Sequence, residues 1–501
     1  MEAIDALKQK VLSLAIQGKL VAQDPTDEPA SVLLDKIKAE KAELVKQGKI
    51  KKAKQESYIF RGDDNKYYEK IGSETKDITE EIPFDIPENW EWVRLYDISS
   101  NIPTKGYQVL QSEIMKNGRF PVVSQSQQLI EGYSDIAEKL YIHDNPVLIF
   151  GDHTRCLKIL DFNFIVGADG TKIIYPHIIN SKYLYYALQL FIINMRDRGY
   201  SRHFQFIKDK IVPLPPLSEQ KRIVEEIEKI FGQIEVVKEN QEELNKLKDG
   251  LKNKVLDLAI QGKLVEQDPN DEPASVLLEK IKAEKAELVK QGKIKKEKQE
   301  SYIYKGADNR HYEKIGSEIK DITDEIPFDI PNNWSWCRLG QVCQLNPRNT
   351  ADDSIDVGFI PMALISDGFQ NKHTFNVRKW SEIKQGFTHF ANNDVGIAKI
   401  TPCFENRKSV IFSNLPNGIG AGTTELHVIR PYNDVLPLYV LTICKTEYFI
   451  TNGIKNFTGT AGQQRISSQF VRDLLIPIPP IQEQYRIVQK ISNMFEIIKF
   501  L

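Results

Sequence analysis

The sequence predicts a mixed α/β (α+β) chain in which a pair of long antiparallel helices carries two unlike inserts, arranged as a pseudo-twofold, circular repeat. Three observations lead there. Residues 7–95 recur at 251–339, in step by 244 residues and without a gap, and 16 of the 89 pairs differ. A second shared block returns at a step of 264, where "IVPLPPLSEQKRIVEEIEKIF" (211–231) matches "LIPIPPIQEQYRIVQKISNMF" (475–495). Between the shared blocks lie two stretches, about 96–210 and 340–474, that share no pattern and differ by 20 residues in length. Constant frames around variable inserts read as one scaffold holding two different recognition surfaces.

Taken in order, residues 1–20 are the N-terminal half of a distal scaffold helix, with Leu7, Val11 and Leu14 on its seam. Residues 21–95 are a repeated lead segment. Its "DEPASVLLDKIKAEKAELVKQGKIKK" (27–52, again 271–296) predicts a helix with Leu33, Ile37 and Leu44 inward. Its lysines are either a solvated face or a face for phosphate or a partner. The stretch from "QESYIF" to "ENWEW" reads as an irregular connector with two Ile-Pro turns. Trp90 and Trp92, like Trp334 and Trp336, have rings able to stack on bases. Both frames share them, however, so they read as packing at the mouth of each insert.

Residues 96–217 form the first insert, in which "YLYYALQLFIINM" (183–195) is too short for a membrane span and reads as a buried helix. Residues 218–262 form the central long helix. One seam runs Ile223, Ile230, Val237, Leu244, Leu251, Leu258 and the other Ile227, Ile234, Val255, with Gln241 and Lys248 interrupting it. Pro215 and Pro216 precede it, Ser218 is placed to cap it, and Gly262 can stop it. At about 1.5 Å per residue the rod is roughly 65 Å long.

Residues 263–339 repeat the lead segment, 340–481 are the second insert, and 482–501 are the C-terminal half of the distal helix, with Ile487 and Ile491 on its seam. Leu501 corresponds to Val237 and Met1 to Asn245, so the two termini together supply a second, split rod.

Composition bounds the function. The chain is 41% hydrophobic and 27% charged with a net charge of −2, so any nucleic-acid contact must come from local basic patches. No apolar run reaches the roughly 18 residues of a membrane span. "MEAIDALKQK" has early acidic residues and no apolar secretion core, so no signal peptide is expected. Five cysteines with no CxxC pair suit a reducing, cytoplasmic setting.

The repeated "AIQGKLVxQDPxDEPAS", "EIPFDIPENWEWVRL" and the doubled "PLPPxxEQxRIV" resemble the specificity (S) subunit of type I restriction–modification enzymes, over nearly the whole chain. The resemblance implies two target-recognition domains held by a conserved helical spacer, each reading one half of a bipartite, asymmetric site on double-stranded DNA. It also implies two modification (M) subunits and restriction (R) subunits as partners, in a phage-defence complex. S-adenosylmethionine, ATP and Mg2+ are then expected on those partners, and no cofactor or metal in this chain. A rigid spacer agrees with such a role, because half-site spacing is a geometric property of the protein. Near-identical frames also suggest recombination that exchanges the inserts.

Little in the sequence points to catalysis. There is no GxxxxGK[ST] phosphate loop. "GIGAGTTE" (418–425) lacks dinucleotide-binding spacing, and "LNPRNT" (345–350) breaks the amino-methyltransferase tetrapeptide. "HDNPVLIFGDHTRC" (143–156) lacks the paired ligand spacing of a zinc site. A non-catalytic subunit is therefore expected. A self-contained DNA methyltransferase and a coiled-coil adaptor without DNA readout remain as alternatives.

Base readout needs amide, hydroxyl, guanidinium or ammonium groups on rigid loops. In the first insert the candidates are Lys105, Tyr107 and Gln108; Ser124, Gln125 and Gln127; and, in "RDRGYSRHF", Arg196, Arg198, Tyr200, Arg202 and His203. In the second they are Lys399, Asn406, Arg407 and Lys408; Thr423 and Thr424; and, in "FTGTAGQQRIS", Thr458, Thr460, Gln463, Gln464 and Arg465.

Overall fold

The computed structural model describes residues 2–50, 57–167, 169–195, 202–296, 300–460 and 462–501. It forms two compact units, Met1–Asn240 and Gln241–Leu501, and the division falls inside the central helix.

The first unit opens with helices α1 (Glu2–Ile16) and α2 (Ala30–Lys46), followed by strands β1 (Ser57–Arg61), β2 (Tyr67–Ile71) and β3 (Glu74–Asp77). These strands form an antiparallel meander, which corrects the expectation of an irregular connector. The left-handed Asn65 (φ 64°) and Gly72 (φ 61°) close its two hairpins. Its short strands, with charges scattered among aromatic and polar residues, hide the alternation that marks Ile59 as inward and Tyr58 as outward.

Next come β4 (Glu91–Arg94), α3 (Leu95–Ile98), β5 (Ser99–Ile102), β6 (Phe120–Val123), β7 (Gly132–Ser134), β8 (Val147–Gly151), β9 (Leu157–Leu160), β10 (Ile165–Val166) and β11 (Thr171–Pro176). Helix α4 (Ser181–Ile193), strand β12 (Ile211–Leu214) and the first part of the long α5 (Leu217–Ile260) complete it, and the rest of α5 begins the second unit. As read from the sequence, α4 is a buried helix, with Tyr183, Leu184, Ala187 and Leu188 inside.

The second unit follows the same plan. It has α6 (Ala274–Lys290), the meander β13 (Ser301–Lys305), β14 (His311–Ile315) and β15 (Glu318–Asp321), then β16 (Ser335–Arg338), α7 (Leu339–Val342) and β17 (Cys343–Leu345). Its insert holds β18 (Asp356–Ile360), β19 (Asn376–Lys379), α8 (Trp380–Ile383), β20 (Thr388–Ala391), β21 (Val395–Ala398), β22 (Ser409–Ile411), β23 (Ile419–Gly422) and β24 (Leu426–Pro431). Helices α9 (Pro437–Lys445), α10 (Glu447–Lys455) and α11 (Ser468–Asp473), strand β25 (Leu475–Ile478) and helix α12 (Ile481–Lys499) end it.

The two inserts, dissimilar in sequence, share a topology. One sheet has the order β5-β11-β8-β9 in the first and β17-β24-β21-β22 in the second. The other is built on one parallel pair, β6 with β10 and β18 with β23, in a sheet of three strands (β10-β6-β7) in the first insert and of four (β19-β18-β23-β20) in the second. The glycine-rich "IGAG" (419–422) is strand β23, where a Cβ on Gly420 would meet the Gly358 carbonyl at 2.4 Å.

The repeated motifs converge on one joint per unit. The buried Glu219 carboxylate accepts from the Trp90 indole (2.8 Å) and the Gln23 amide (2.6 Å). Beside it Arg222 grips Asp27 (2.6 Å), which holds the Asp27 carboxyl below its ordinary value. In the second unit Glu483 accepts from Trp334 (2.9 Å) and Gln267 (2.6 Å), and Arg486 grips Asp271 (2.5 Å). Ser218 donates to Asp27 instead of capping α5. Left-handed Gly18 lies so close to Pro87 that a Cβ would meet Cγ at 2.4 Å, and Gly262 stands likewise against Pro331. "AIQGKLV", "DEP", "NWxW" and "EQ" thus recur together because they are the parts of one joint. Trp90, Trp92, Trp334 and Trp336 are all buried in it or beside it.

Next along each α5 and α12, Gln220 accepts from the backbone amide of Asn180 (2.8 Å), and Gln484 from that of Leu436 (2.9 Å). Within the first unit α1 runs antiparallel to α5, as Lys8–Glu235 and Gln23–Glu219 show; within the second, Lys248–Lys499 and Gln267–Glu483 set the same direction for α12. The seam is buried at Ile223, Ile227, Ile234, Val255, Val11, Ile487 and Ile491, and half-buried at Ile230, Leu244, Leu258 and Leu14. Three expected seam positions are corrected: Val237, Leu251 and Leu7 are exposed. The seam closes where a third helix, α4 or α9, packs on the pair, and beyond that a two-helix contact leaves it open.

One difference between the frames makes a prediction. Asp97 in the first unit corresponds to Gln341 in the second. Both bond the neighbouring strand: the Ser57 hydroxyl donates to Asp97 at 2.9 Å, and the Gln341 amide donates to the Ser301 hydroxyl at 2.6 Å. Burial pushes the Asp97 carboxyl up from 3.8 to about 6. A raised folded-state value means stability that is full below about 4 and lost as the pH rises through about 6. Asp97→Gln is therefore expected to stabilise the first unit above pH 6, by ~3 kcal/mol at most, with the gain vanishing below about pH 4. Denaturant titrations at pH 4.5 and 8 check this; an equal effect at both would refute it.

Candidate nucleic-acid interface

In both inserts, three loops that are distant in sequence meet at one sheet end. In the second insert they are the β21–β22 loop (399–408), the β23–β24 loop (423–425) and the segment 457–467 before α11. Lys399 N–H donates to the Glu425 carbonyl (2.9 Å), Thr401 N–H to the Gln464 carbonyl (3.0 Å) and Ile466 N–H to the Lys399 carbonyl (3.0 Å). Thr458 and Arg465 exchange backbone bonds, closing a small loop that carries Thr460 and Gln463 outward.

The first insert builds the equivalent place from the β8–β9 loop (152–156), the β10–β11 turn (169–170) and residues 202–206. Asp152 N–H donates to the Gly170 carbonyl (2.7 Å) and His203 N–H to the Asp152 carbonyl (2.8 Å). The loop after β6 joins them: the Gln125 amide donates to the Asp169 carbonyl (2.9 Å) and accepts from His153 N–H (3.1 Å).

The expected contact residues divide sharply. Lys105, Gln127, Arg202, Asn406, Thr424, Thr458, Thr460 and Gln463 are exposed. Tyr107, Gln108, Lys399, Thr423 and Gln464 are half-buried, with Tyr107 edge-on to Tyr141 and Gln108 bonded to the Asp169 carboxylate (2.9 Å). Others are taken up by the fold. Ser124 and His203 are buried, and His203 bonds the Asp152 carbonyl. Gln125 is spent on loop contacts.

Arg407 is ion-paired with Glu447, bonds Asn253 and lies over Phe369, so it ties the insert to α5. The Lys408 ammonium donates to the carbonyls of Met362 and Ile365. Arg465 makes a two-pronged ion pair with Glu425, both bonds at 2.9 Å. Arg196, Arg198 and Tyr200 lie outside the described residues.

Two participants escaped the sequence reading. Glu425 neutralises Arg465 from forty positions away, and no local pattern announces it. Lys158 is buried among "CLKIL", where the alternation of β9 gave the only sign that it points inward. Burial lowers its ammonium below the ordinary lysine value. Burial likewise brings the Lys445 ammonium down to about 7, where it donates to the carbonyls of Gly368 (2.8 Å) and Arg407 (3.2 Å). The five cysteines are free. Among the described residues no helix is long and apolar enough to cross a membrane.

Two loop-bearing α+β modules on repeated helical frames define a chain built of two like modules. The model of the type I restriction modification DNA specificity domain matches this chain twice, over residues 87–246 and 331–500, and the chain belongs to that family. It is 47% identical over 250 residues to the EcoAI specificity subunit of Escherichia coli, an alignment covering 49% of this chain and 39% of that protein. To the EcoEI specificity subunit, also of Escherichia coli, it is 46% identical over 246 residues, covering 49% and 38%. These alignments span about two fifths of the length of either relative. The HsdS subunit from Thermoanaerobacter tengcongensis superposes with a TM-score of 0.41 at 18% identity, covering 84% of this chain and 93% of that one.

Proposed function

We propose that this chain is the DNA-specificity subunit of a type I restriction–modification complex and reads a bipartite, asymmetric site with one half-site per insert. One observation carries the reading: two inserts of the same topology present equivalent loops of different chemistry. Equivalent placement supports two readers working in the same way, and different chemistry supports two different half-sites. The exposed amides and hydroxyls of Gln127, Thr424, Thr458, Thr460 and Gln463 are suited to base edges, and Lys105, Arg202 and Lys399 to phosphates. The paired helices leave the seam open at Leu7 and Val237 in the first unit and at Leu251 in the second, and such apolar positions suit the docking of modification subunits, with restriction subunits joining that assembly. Chemistry dependent on S-adenosylmethionine, ATP and Mg2+ then belongs to those partners.

The test is selection of bound duplexes from a random library by the full chain, assembled with modification subunits. Two unlike half-motifs at one constant spacing are expected. A single motif, a palindrome or no enrichment would refute the reading. Affinity for the selected duplex is expected to fall steeply with salt, since each neutralised phosphate contributes about −0.9 to the log–log slope. A flat salt response would favour an adaptor role.

A further inference from the structure

We infer that Lys158 and Lys408 play the same positioning role, each lashing the loop after its insert's central strand to the hairpin that forms the recognition end. This rests on the DNA-reading role proposed above.

Strand pairing matches the two loops that the lysines hold. Past the parallel pair in the first insert, Gly167 N–H donates to the Val123 carbonyl (2.9 Å); past that in the second, Thr423 N–H donates to the Ile360 carbonyl (3.4 Å). Val123 and Ile360 therefore match, and the fifth residues beyond them are Gln128 and Ile365. The Lys158 ammonium donates to the Gln128 carbonyl and to that of Ser124 (3.0 Å). The Lys408 ammonium donates to the Ile365 carbonyl (3.0 Å) and to that of Met362 (3.3 Å). The two lysines are two positions apart in register: Lys158, the second residue of β9, faces Ile149, whose counterpart Gly396 faces Val410, so Lys408, just before β22, leaves the same face of the hairpin one step nearer its tip. Nothing in "RCLKIL" and "ENRKSV" announces the match.

Burying an ammonium is costly unless its donors are satisfied, and an ammonium donates without accepting. Both inserts place one where backbone carbonyls answer it. Carbonyls are present whatever the side chains, so the same lash holds "SQSQQ" in one insert and "PMALI" in the other. Further bonds join the same two loops: the Thr154 hydroxyl donates to the Gln125 carbonyl (2.5 Å), and Gly368 N–H donates to the Asn406 carbonyl (2.8 Å). A reading loop held this way meets a base edge already ordered, and that ordering sharpens discrimination between the right base and a wrong one.

The experiment repeats the duplex selection with Lys158→Met and Lys408→Met, which keep most of the side chain's length and remove its donors. Lys158→Met is expected to blur one half-motif, cutting preference over single mismatches about tenfold, and to leave the other half-motif sharp. Lys408→Met should do the reverse. Folded variants that keep both half-motifs sharp would overturn the inference while leaving the proposed function intact. If the native chain selects no bipartite motif, both fall together. Should a methionine variant fail to fold, Lys→Gln at the same position carries the test: a partly blurred half-motif supports the lash, and a native one overturns it.

Discussion

Trp90→Ala is expected to destabilise the first unit by about 4 kcal/mol, the usual cost of removing a buried tryptophan. Trp90 is 3% exposed and packs in the core that joins α1, α2, α4 and α5. The loss would not stop at the cavity. Burial raises the Glu219 carboxyl above its ordinary value even with both donors in place. Without the indole, that fully buried group keeps only Gln23. Trp90→Phe separates the effects, since it keeps a ring and forfeits the hydrogen bond, and should cost about 1–3 kcal/mol. Residue-resolved hydrogen exchange is the measurement. Faster exchange across residues 2–240, with the second unit's amides little changed, is the expected result. Trp334→Ala should mirror it in residues 241–501. A Trp90→Ala protein with native exchange throughout would show that the joint is not what holds the frame.

Arg430→Met is expected to cost about 3 kcal/mol, from the opposite physics. Arg430 grips Asp394 through Nε and Nη2, both at 2.7 Å, and Asp394 is 1% exposed. The pair links β24 to the turn entering β21, and Nη2 also reaches Asn349 (3.0 Å). Replacing the guanidinium by an apolar chain strands a buried carboxylate, with the Ala391 amide (2.7 Å) as its remaining partner. Arg430→Met with Asp394→Asn should recover much of the loss. In denaturant titrations, a double variant no better than the single one would contradict this account.

The frame was legible because it is written twice. Repetition flagged "QGKLV", "NWxW" and "EQ" as parts of something, although the contacts of their joint lie up to 216 positions apart and show only in three dimensions. The seam was readable by period where a third helix completes it. It failed at Val237, Leu251 and Leu7, because a heptad does not say how many helices close around it. The meander at 57–77 was missed since short strands with scattered charges, held by tight turns, resemble a loop in composition. In the inserts, residue type identified the right loops and partly the wrong atoms. Arg407, Lys408 and Arg465 have the chemistry of base readers, yet each spends it on a carboxylate or a carbonyl inside the fold. No local pattern separates an arginine awaiting a guanine from one already answered by glutamate.

The grip of Gln220 on Asn180, and of Gln484 on Leu436, is a grip on a main-chain amide. Three positions on, the buried Tyr183 and Tyr439 return the gesture, their hydroxyls donating to the carbonyls of Pro213 (2.8 Å) and Pro477 (2.9 Å). The socket therefore asks of its occupant a helix start and one tyrosine, and is blind to the rest. An insert behaves as a cartridge. Whatever vocabulary its loops acquire, the fitting that seats it has nothing to relearn.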